Sequence, residues 1–494
     1  MFVDLQTMDK GNFNVRSFSR DVLIFSSGQV VLLIFSFIQS LIIPKYLPAA
    51  DYGYWQLFIL YISYAGILHF GFLDGISVKW AGKDLEDLKD EIPVAFRFIL
   101  LEQGIILVIL TLFLSLIQIP FREIALTVLV NAVIVNLLWF FLFTAQATKR
   151  FKLLTAANIG KGFLFLIFVL ILFFKGYFDY IQLIYATIAA GLIILSIFIF
   201  HFRENLFYYN KRSMSMIEYG KENIGIGIFV LLGNFMAFLL TTIDRLTVGS
   251  FFSITQFGIY AFATTMCGLC IVFLQAVSQV FFPYLMGSNS EIRTKSYTLL
   301  RSALVIFWAG LLAAYFPFSV WIRYYLPQYT DSLSLMAILL CTIGFSGQIL
   351  ILHANFFKVY LKQQAYFVIA GISLIGAVAF NLVAVTIFGS LTAVAVTAVI
   401  SFSFWYLFNE VTLRHLNAVP AKDIIKWLII VFAYFGAFLG AYTLTKTWIA
   451  GFAIYLVLFA YITIICLHGE SENLWSLFRE ITKRENNEEE NRQY

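Results

Sequence analysis

"VAFRFILLEQGIILVILTLFLSLIQI", residues 94–119, is apolar along nearly its whole length, with Arg97 and Glu102 as its ionisable side chains. As an α-helix rising about 1.5 Å per residue it extends about 39 Å, enough to cross a hydrocarbon layer about 30 Å thick. It lacks the polar/apolar alternation of a membrane β-strand. The stretch therefore predicts a membrane-crossing helix, and similar runs recur on both sides of it. Hydropathy predicts about fourteen, with limits near 22–44, 53–73, 94–119, 124–147, 154–174, 182–201, 225–248, 257–286, 299–318, 331–353, 367–388, 391–411, 425–445 and 450–468.

The bulk composition agrees. Of 494 residues, 61% are hydrophobic and 12% charged, against roughly 45–50% and about 25% in soluble chains. Too little charge is present to cover a water-soluble body of this size. The connections are short, some as brief as "GS" at 389–390, so none could hold a catalytic domain. The polar opening, 1–21, precedes an apolar run that lacks a small-residue cleavage signature, and that run is expected to be a retained first span. Cys267 and Cys270 form "CGLC" inside an apolar segment, as Cys341 and Cys466 also lie in apolar segments. All four are expected to be small core hydrophobes.

Orientation follows from the cations. With both termini cytoplasmic, inside segments hold about 25 of the 33 basic residues, a strong positive-inside bias. The outside set is Lys45, Arg122, Lys175, Arg323 and Lys446, while Arg97, Lys161 and Arg245 lie within spans. A net charge of +5 fits cytoplasmic loops facing anionic lipid, and no nucleic-acid partner is expected.

An internal repeat sets the organisation. "YLPAADYGYWQLF" (46–58) aligns without gaps to "FFSITQFGIYAFA" (251–263), pairing Gly53 with Gly258 and Tyr52 with Phe257. Six spans separate the copies, so both halves enter the membrane in the same sense. Such parallel repeats are related by an axis along the membrane normal, with a substrate path between them. The expected fold class is an all-α polytopic membrane protein of two pseudo-symmetric six-helix lobes, 22–212 and 213–424. A helix pair at 425–468, a cytoplasmic segment at 1–21 and a cytoplasmic tail at 469–494 complete it. The tail opens with "ENLWSLFREITK", where Leu474, Trp475, Leu477, Phe478 and Ile481 form an amphipathic face suited to the membrane surface.

"IPKYLPAADYGYWQLFILYISYAGILHFGFLDGI" (43–76) and "IDRLTVGSFFSITQFGIYAFATTMCGLCIVFLQAVSQVFFPYLM" (243–286) resemble the two motif regions of the bacterial polysaccharide transporter family. That family includes the O-antigen and oligosaccharide-lipid flippases and belongs to the superfamily of lipid II flippases and multidrug and toxin extrusion proteins. The resemblance implies a V-shaped pair of lobes that alternates between inward- and outward-open states in the cytoplasmic membrane. The implied substrate is an undecaprenyl-diphosphate-linked oligosaccharide. Membrane lipid, H+ or Na+ and a polysaccharide polymerase are the implied partners. In lipid II flippases spans 13 and 14 form a groove for the lipid tail.

Carrying a diphosphate and a sugar through hydrocarbon requires a wet cavity with cations for phosphate and amides or aromatic rings for the glycan. Arg97, about one turn inside its span, either snorkels to the interface or lines such a cavity. Glu102, roughly 12 Å deep, is expected to face a cavity or a basic partner. Lys161, between Gly160 and Gly162, is open to snorkelling or cavity lining. At least two of Arg97, Lys161 and Arg245 are expected to meet in one central space.

Asp244 and Arg245 diverge by about 100° on a helix. Either one faces the cavity, for phosphate binding or ion coupling, or Asp244 fixes the lobe by pairing with a neighbouring helix. Gln275 and Gln279, at i and i+4, share a face and are the sugar-contact candidates. Asn131, Asn136 and Asn381 belong to a polar set expected to bond between helices. His69 and His353 have no companion at metal-ligand spacing, so packing or hydrogen bonding is expected of each ahead of a proton-relay role. No cofactor or catalytic residue is expected.

The competing functions are a cation-coupled multidrug efflux pump and a membrane-embedded polysaccharide polymerase or acyltransferase. The first would put acids in charge of the cavity. The second needs an outward loop or polar constellation that these connections do not offer.

Overall fold

The computed structural model describes residues 15–117, 121–176, 178–208, 215–286, 290–416 and 423–467, and among them no strand occurs. In chain order the helices are α1 (Val15–Tyr46), α2 (Ala49–Ile62), α3 (Phe72–Trp80), α4 (Glu91–Leu116), α5 (Arg122–Ala147), α6 (Phe151–Phe174), α7 (Tyr180–His201), α8 (Arg203–Leu206) and α9 (Met216–Leu240). There follow α10 (Ile243–Phe251), α11 (Ile254–Met286), α12 (Ser290–Tyr325), α13 (Ser332–Gln348), α14 (Ala354–Val359), α15 (Gln363–Val383), α16 (Leu391–His415) and α17 (Asp423–Leu444). The last, α18, is Trp448–Leu467. Among the described residues, thirteen helices are long and apolar enough to cross a membrane, or fourteen if the bent pair Ala49–His69 and Phe72–Trp80 counts as one span. The chain is a multi-pass membrane protein. The amphipathic tail at 474–481 lies outside the described residues, and α1 begins at Val15 instead of near residue 22.

Two spans are broken where hydropathy drew them whole. The expected span 53–73 bends by 64° because Phe70 and Gly71 both take positive φ, 45° and 86°; the left-handed region ends an α-helix. Before that bend the chain tightens into a 3-10 turn, Ala65–His69. Carbonyls released there find partners in two buried amides. Asn136 Nδ2 donates to Ala65 O at 3.1 Å and to Gln103 Oε1 at 2.9 Å, and Gln103 Nε2 donates to Leu68 O at 3.0 Å. Irregular backbone at membrane depth persists when protein groups satisfy it in this way. His69 Nδ1 accepts from the Gly71 N–H at 3.2 Å.

The second break corrects the expected span 225–248. Thr241 and Thr242 N–H groups bond three residues back, to Phe238 O and Leu239 O, and their hydroxyls also donate to Phe238 O. This over-tight turn ends α9 at Leu240. Asp244 and Arg245, expected in the outer half of that span, consequently sit in the first turn of the separate short helix α10.

Contacts divide the chain into two compact units. Among the described residues, the first comprises those up to Ser36, Ala65–Lys175 and Tyr185–Val230; the second comprises Phe37–Tyr64, Gly176–Ile184 and those from Leu231 to Leu467. In this grouping α2 clusters with the later helices and residues 215–230 with the earlier ones. The first unit packs around aromatic rings, with Phe141 stacked on Phe198 at 5.3 Å and flanked by Phe96 and Phe140.

The second unit shows why α2 belongs to it. A Cβ on Gly53 would strike the carbonyl oxygen of Ile254, and one on Gly258 would strike that of Ala49. In the repeat alignment Ala49 corresponds to Ile254 and Gly53 to Gly258. The two repeat copies therefore touch through equivalent residues, as an isologous interface does. Small residues let the backbones of α2 and α11 approach closely, the usual basis of helix association in membranes.

Candidate functional site

The second unit holds a cavity of about 290 Å³ bordered by α9, α10, α11, α13 and α16. Asp244 and Arg245 reach it from the first turn of α10, beside Thr242, Thr264, Thr342, Ser346, Phe402 and Trp405. The break at Thr241–Thr242 places them there, because it re-aims the chain into a new helix start. Asp244 is 8% exposed and accepts a hydrogen bond from the Tyr260 hydroxyl of α11 at 2.7 Å. Its carboxylate also lies at a helix N-terminus, where negative charge is favoured. Asp244 is thus tied to a neighbouring helix. Arg245 is half-buried, and among the described residues its guanidinium makes no salt bridge or hydrogen bond.

The wall hydroxyls are oriented by their helices. Thr264 donates to Ala261 O at 3.0 Å, Thr342 to Leu339 O at 2.6 Å and Ser346 to Thr342 O at 2.8 Å. With their protons turned inward, the oxygens present lone pairs to the cavity. The Trp405 indole N–H is buried without a hydrogen-bond partner among the described residues. Such a space offers one cation beside one carboxylate, several hydroxyl acceptors and aromatic faces.

The other sequence candidates lie elsewhere. Arg97 is exposed on α4 on one face with Leu101, the placement of a side chain that snorkels along an uncovered helix. Glu102, expected to face a cavity or a basic partner, is half-buried, and neither carboxylate oxygen has a hydrogen-bond partner among the described residues. Lys161 is half-buried on α6. None of these three borders the cavity, so of the expected cations Arg245 alone does. Gln275 and Gln279 lie on α11, but their side chains are outside the described residues. Cys267 borders the cavity as a free, buried thiol, and Cys270 is free as well. Among the described residues no three His, Cys, Asp or Glu side chains gather as a metal site.

A buried charged cluster escaped sequence reading. Arg301 of α12 and Glu410 of α16 are fully buried, with Nη2 of the first 3.6 Å from Oε2 of the second. Glu410 Oε1 accepts from the Tyr297 hydroxyl at 2.6 Å and lies 3.1 Å from His353 Nε2. Arg301 and Glu410 fall near the ends of the predicted spans 299–318 and 391–411, where charges ordinarily anchor at the interface. The available signal was Asn409 beside Glu410, two polar residues together on an apolar helix. His353, expected to pack or hydrogen-bond ahead of relaying a proton, is fully buried with Nε2 against Glu410.

A second concavity of about 350 Å³ lies between the end of α12 and the α17–α18 turn, where Arg323 and Lys446 stand with Tyr442 and Trp448.

No family model matches the chain, and no curated protein does. Solved structures do. A lipid II flippase MurJ in an inward closed conformation superposes with a TM-score of 0.59 at 12% identity, covering 90% of this chain and 98% of the other. An inward-facing multidrug resistance MATE family transporter also gives 0.59, at 15% identity over 80% and 99% of the two chains. A MOP superfamily transporter from Pyrococcus furiosus gives 0.55 at 14% identity, over 81% and 96%. The chain has the helical fold of the MOP superfamily transporters.

Proposed function

We propose that the chain is a transporter that moves an undecaprenyl-diphosphate-linked oligosaccharide across the bacterial cytoplasmic membrane by alternating access. In this reading both termini are cytoplasmic, and the lobes 22–212 and 213–424 are the halves that exchange access. The observation that carries it is Arg245, facing a cavity of hydroxyl oxygens and aromatic rings while Asp244 is held by Tyr260. An arginine fork suits phosphate oxygens, and the wall acceptors suit sugar hydroxyls. A volume of about 290 Å³ is at the low end for ligand pockets. It fits one sugar or a diphosphate, so a longer glycan requires a wider state of the cycle. Arg97, Glu102, Lys161, Gln275 and Gln279 are proposed to meet the head group in such states. H+ or Na+ supplies the coupling, and a polysaccharide polymerase receives the product.

The second reading is a cation-coupled multidrug efflux pump, favoured by a TM-score to a MATE transporter equal to that for the flippase. A pump for cations would bind its substrate at the Asp244 carboxylate, which lines the cavity and accepts from Tyr260 through Oδ2. The deciding experiment deletes the gene and analyses undecaprenyl-diphosphate intermediates by mass spectrometry, with complementation by the wild type or by Arg245→Gln. Accumulation of a complete unit, relieved by the wild type and not by a normally expressed Arg245→Gln, supports the flippase. Unchanged lipid intermediates with altered dye efflux support the pump.

A further inference from the structure

The Arg301–Glu410–His353 cluster lies outside the cavity lining, and the proposed substrate has no use for it. Four elements meet around the Arg301–Glu410 pair. From α12 come Tyr297 and Arg301, whose guanidinium also stacks 4.5 Å from the Tyr297 ring centroid. From α16 comes Tyr406, its ring 5.2 Å from that of His353. From α17 comes Trp427, 5.4 Å from the Arg301 guanidinium, with Lys426 over the same indole at 5.8 Å. The fourth is a π turn, Ile349–His353, which interrupts the run from α13 into α14 and ends at the imidazole. Single π turns inside α-helices concentrate at functional sites.

The hydrogen bonds assign the ring's protons. Oε1 of Glu410 faces both the Tyr297 hydroxyl and His353 Nε2, and an ionised carboxylate is acceptor-only. Nε2 therefore carries the hydrogen of the neutral ring, leaving a bare lone pair on Nδ1. Nδ1 is buried and has no hydrogen-bond partner among the described residues. Structural histidines usually fix their tautomer through that second nitrogen; here it is an unused base in the protein interior.

Meanwhile Arg301 stands 3.6 Å from Oε2, beyond the roughly 2.7–2.9 Å of a tight charge-assisted hydrogen bond. Oε1 holds the shorter contacts. An added positive charge on the imidazole would compete with Arg301 for one carboxylate.

We infer that His353, with Glu410 as its counter-ion, is a proton-binding site whose loading loosens α12 from α16 by displacing Arg301. The ligand is a single proton, taken up on Nδ1 and spread as charge over the imidazolium; no bond is broken and no electron moves. This rests on the transport reading insofar as the proton is the coupling ion, and it names where that ion binds.

The test uses the full chain in detergent, titrated between about pH 5 and 8, the range in which histidine charges, with tryptophan fluorescence as readout and circular dichroism as the check on folding. The wild type is expected to show a single-proton transition. Trp427→Phe should lose most of its amplitude, because the reporter beside Arg301 is gone. His353→Gln keeps a side-chain N–H for Glu410 but has no base, and should lose the transition at least tenfold in amplitude. The paired Arg301→Met/Glu410→Met variant, which removes both charges together, should lose it too. A folded wild type with no transition overturns the inference. So does a transition unchanged in His353→Gln or in Trp427→Phe. Failure here would leave the lipid-intermediate experiment unaffected, and the converse holds, so the two readings fail separately.

Discussion

Alanine at Gly258 is the sharpest probe of the repeat contact. The new methyl would run into the carbonyl oxygen of Ala49, a backbone atom that cannot rotate away, so α2 and α11 must part by about 1 Å. Roughly 40 heavy-atom pairs across such a crossing at ~0.15 kcal/mol each, with a quarter to a half of the well forfeited by that gap, gives ~1.5–3 kcal/mol of lost packing. The opposing term is helix propensity, where alanine is better than glycine by ~0.8–1.0 kcal/mol. Packing wins, and the net expectation is a destabilisation of about 0.5–2 kcal/mol.

Gly53→Ala meets the carbonyl of Ile254 in the equivalent way and should cost a similar amount. The double variant should cost less than the two singles together, because one separation of the helices serves both methyls. Gly310→Ala on α12, where a Cβ meets nothing within 4 Å, is the control and should be neutral or slightly stabilising. Denaturant or thermal unfolding of the detergent-solubilised chain measures all four. Wild-type stability in Gly258→Ala, or full additivity of the pair, would refute the two-fold contact.

Two further substitutions probe single hydrogen bonds. Tyr260→Phe leaves the buried Asp244 carboxylate without its 2.7 Å donor and should destabilise by about 1–3 kcal/mol; an unchanged unfolding midpoint would show that the bond does not hold α10 to α11. Gln103→Leu strips the donor from Leu68 O and the acceptor from Asn136. It should lower stability by about 1–2 kcal/mol and speed amide exchange in the 65–69 turn more than in α5, whereas a uniform change would count against a local role.

Helix number was legible from sequence because hydropathy is a local property. A run of some twenty apolar residues has few alternatives to a helix across the bilayer. The Gly53/Gly258 correspondence was also legible, since a close backbone approach leaves glycine as its trace. The breaks at Phe70–Gly71 and Thr241–Thr242 were not. Both depend on φ values and on hydroxyls or amides, such as Gln103 and Asn136, that arrive from elsewhere in the chain.

For the same reason Arg301 passed as an ordinary charge near a helix end until Glu410, more than a hundred positions away, was found beside it. Arg97 and Lys161 looked equivalent to Arg245 because each is a cation in an apolar run. Their surroundings separate them, through contacts made by other helices.

What the sequence by itself determined is the solvent each segment prefers, the helical character of those segments and the glycine pair that lets two of them touch. What the tertiary structure alone decided is the direction in which every polar side chain inside the bilayer points. Burial periodicity encodes a helix's preference for lipid or protein, but partners of a buried charge are chosen by non-local packing, which leaves no mark on neighbouring residues.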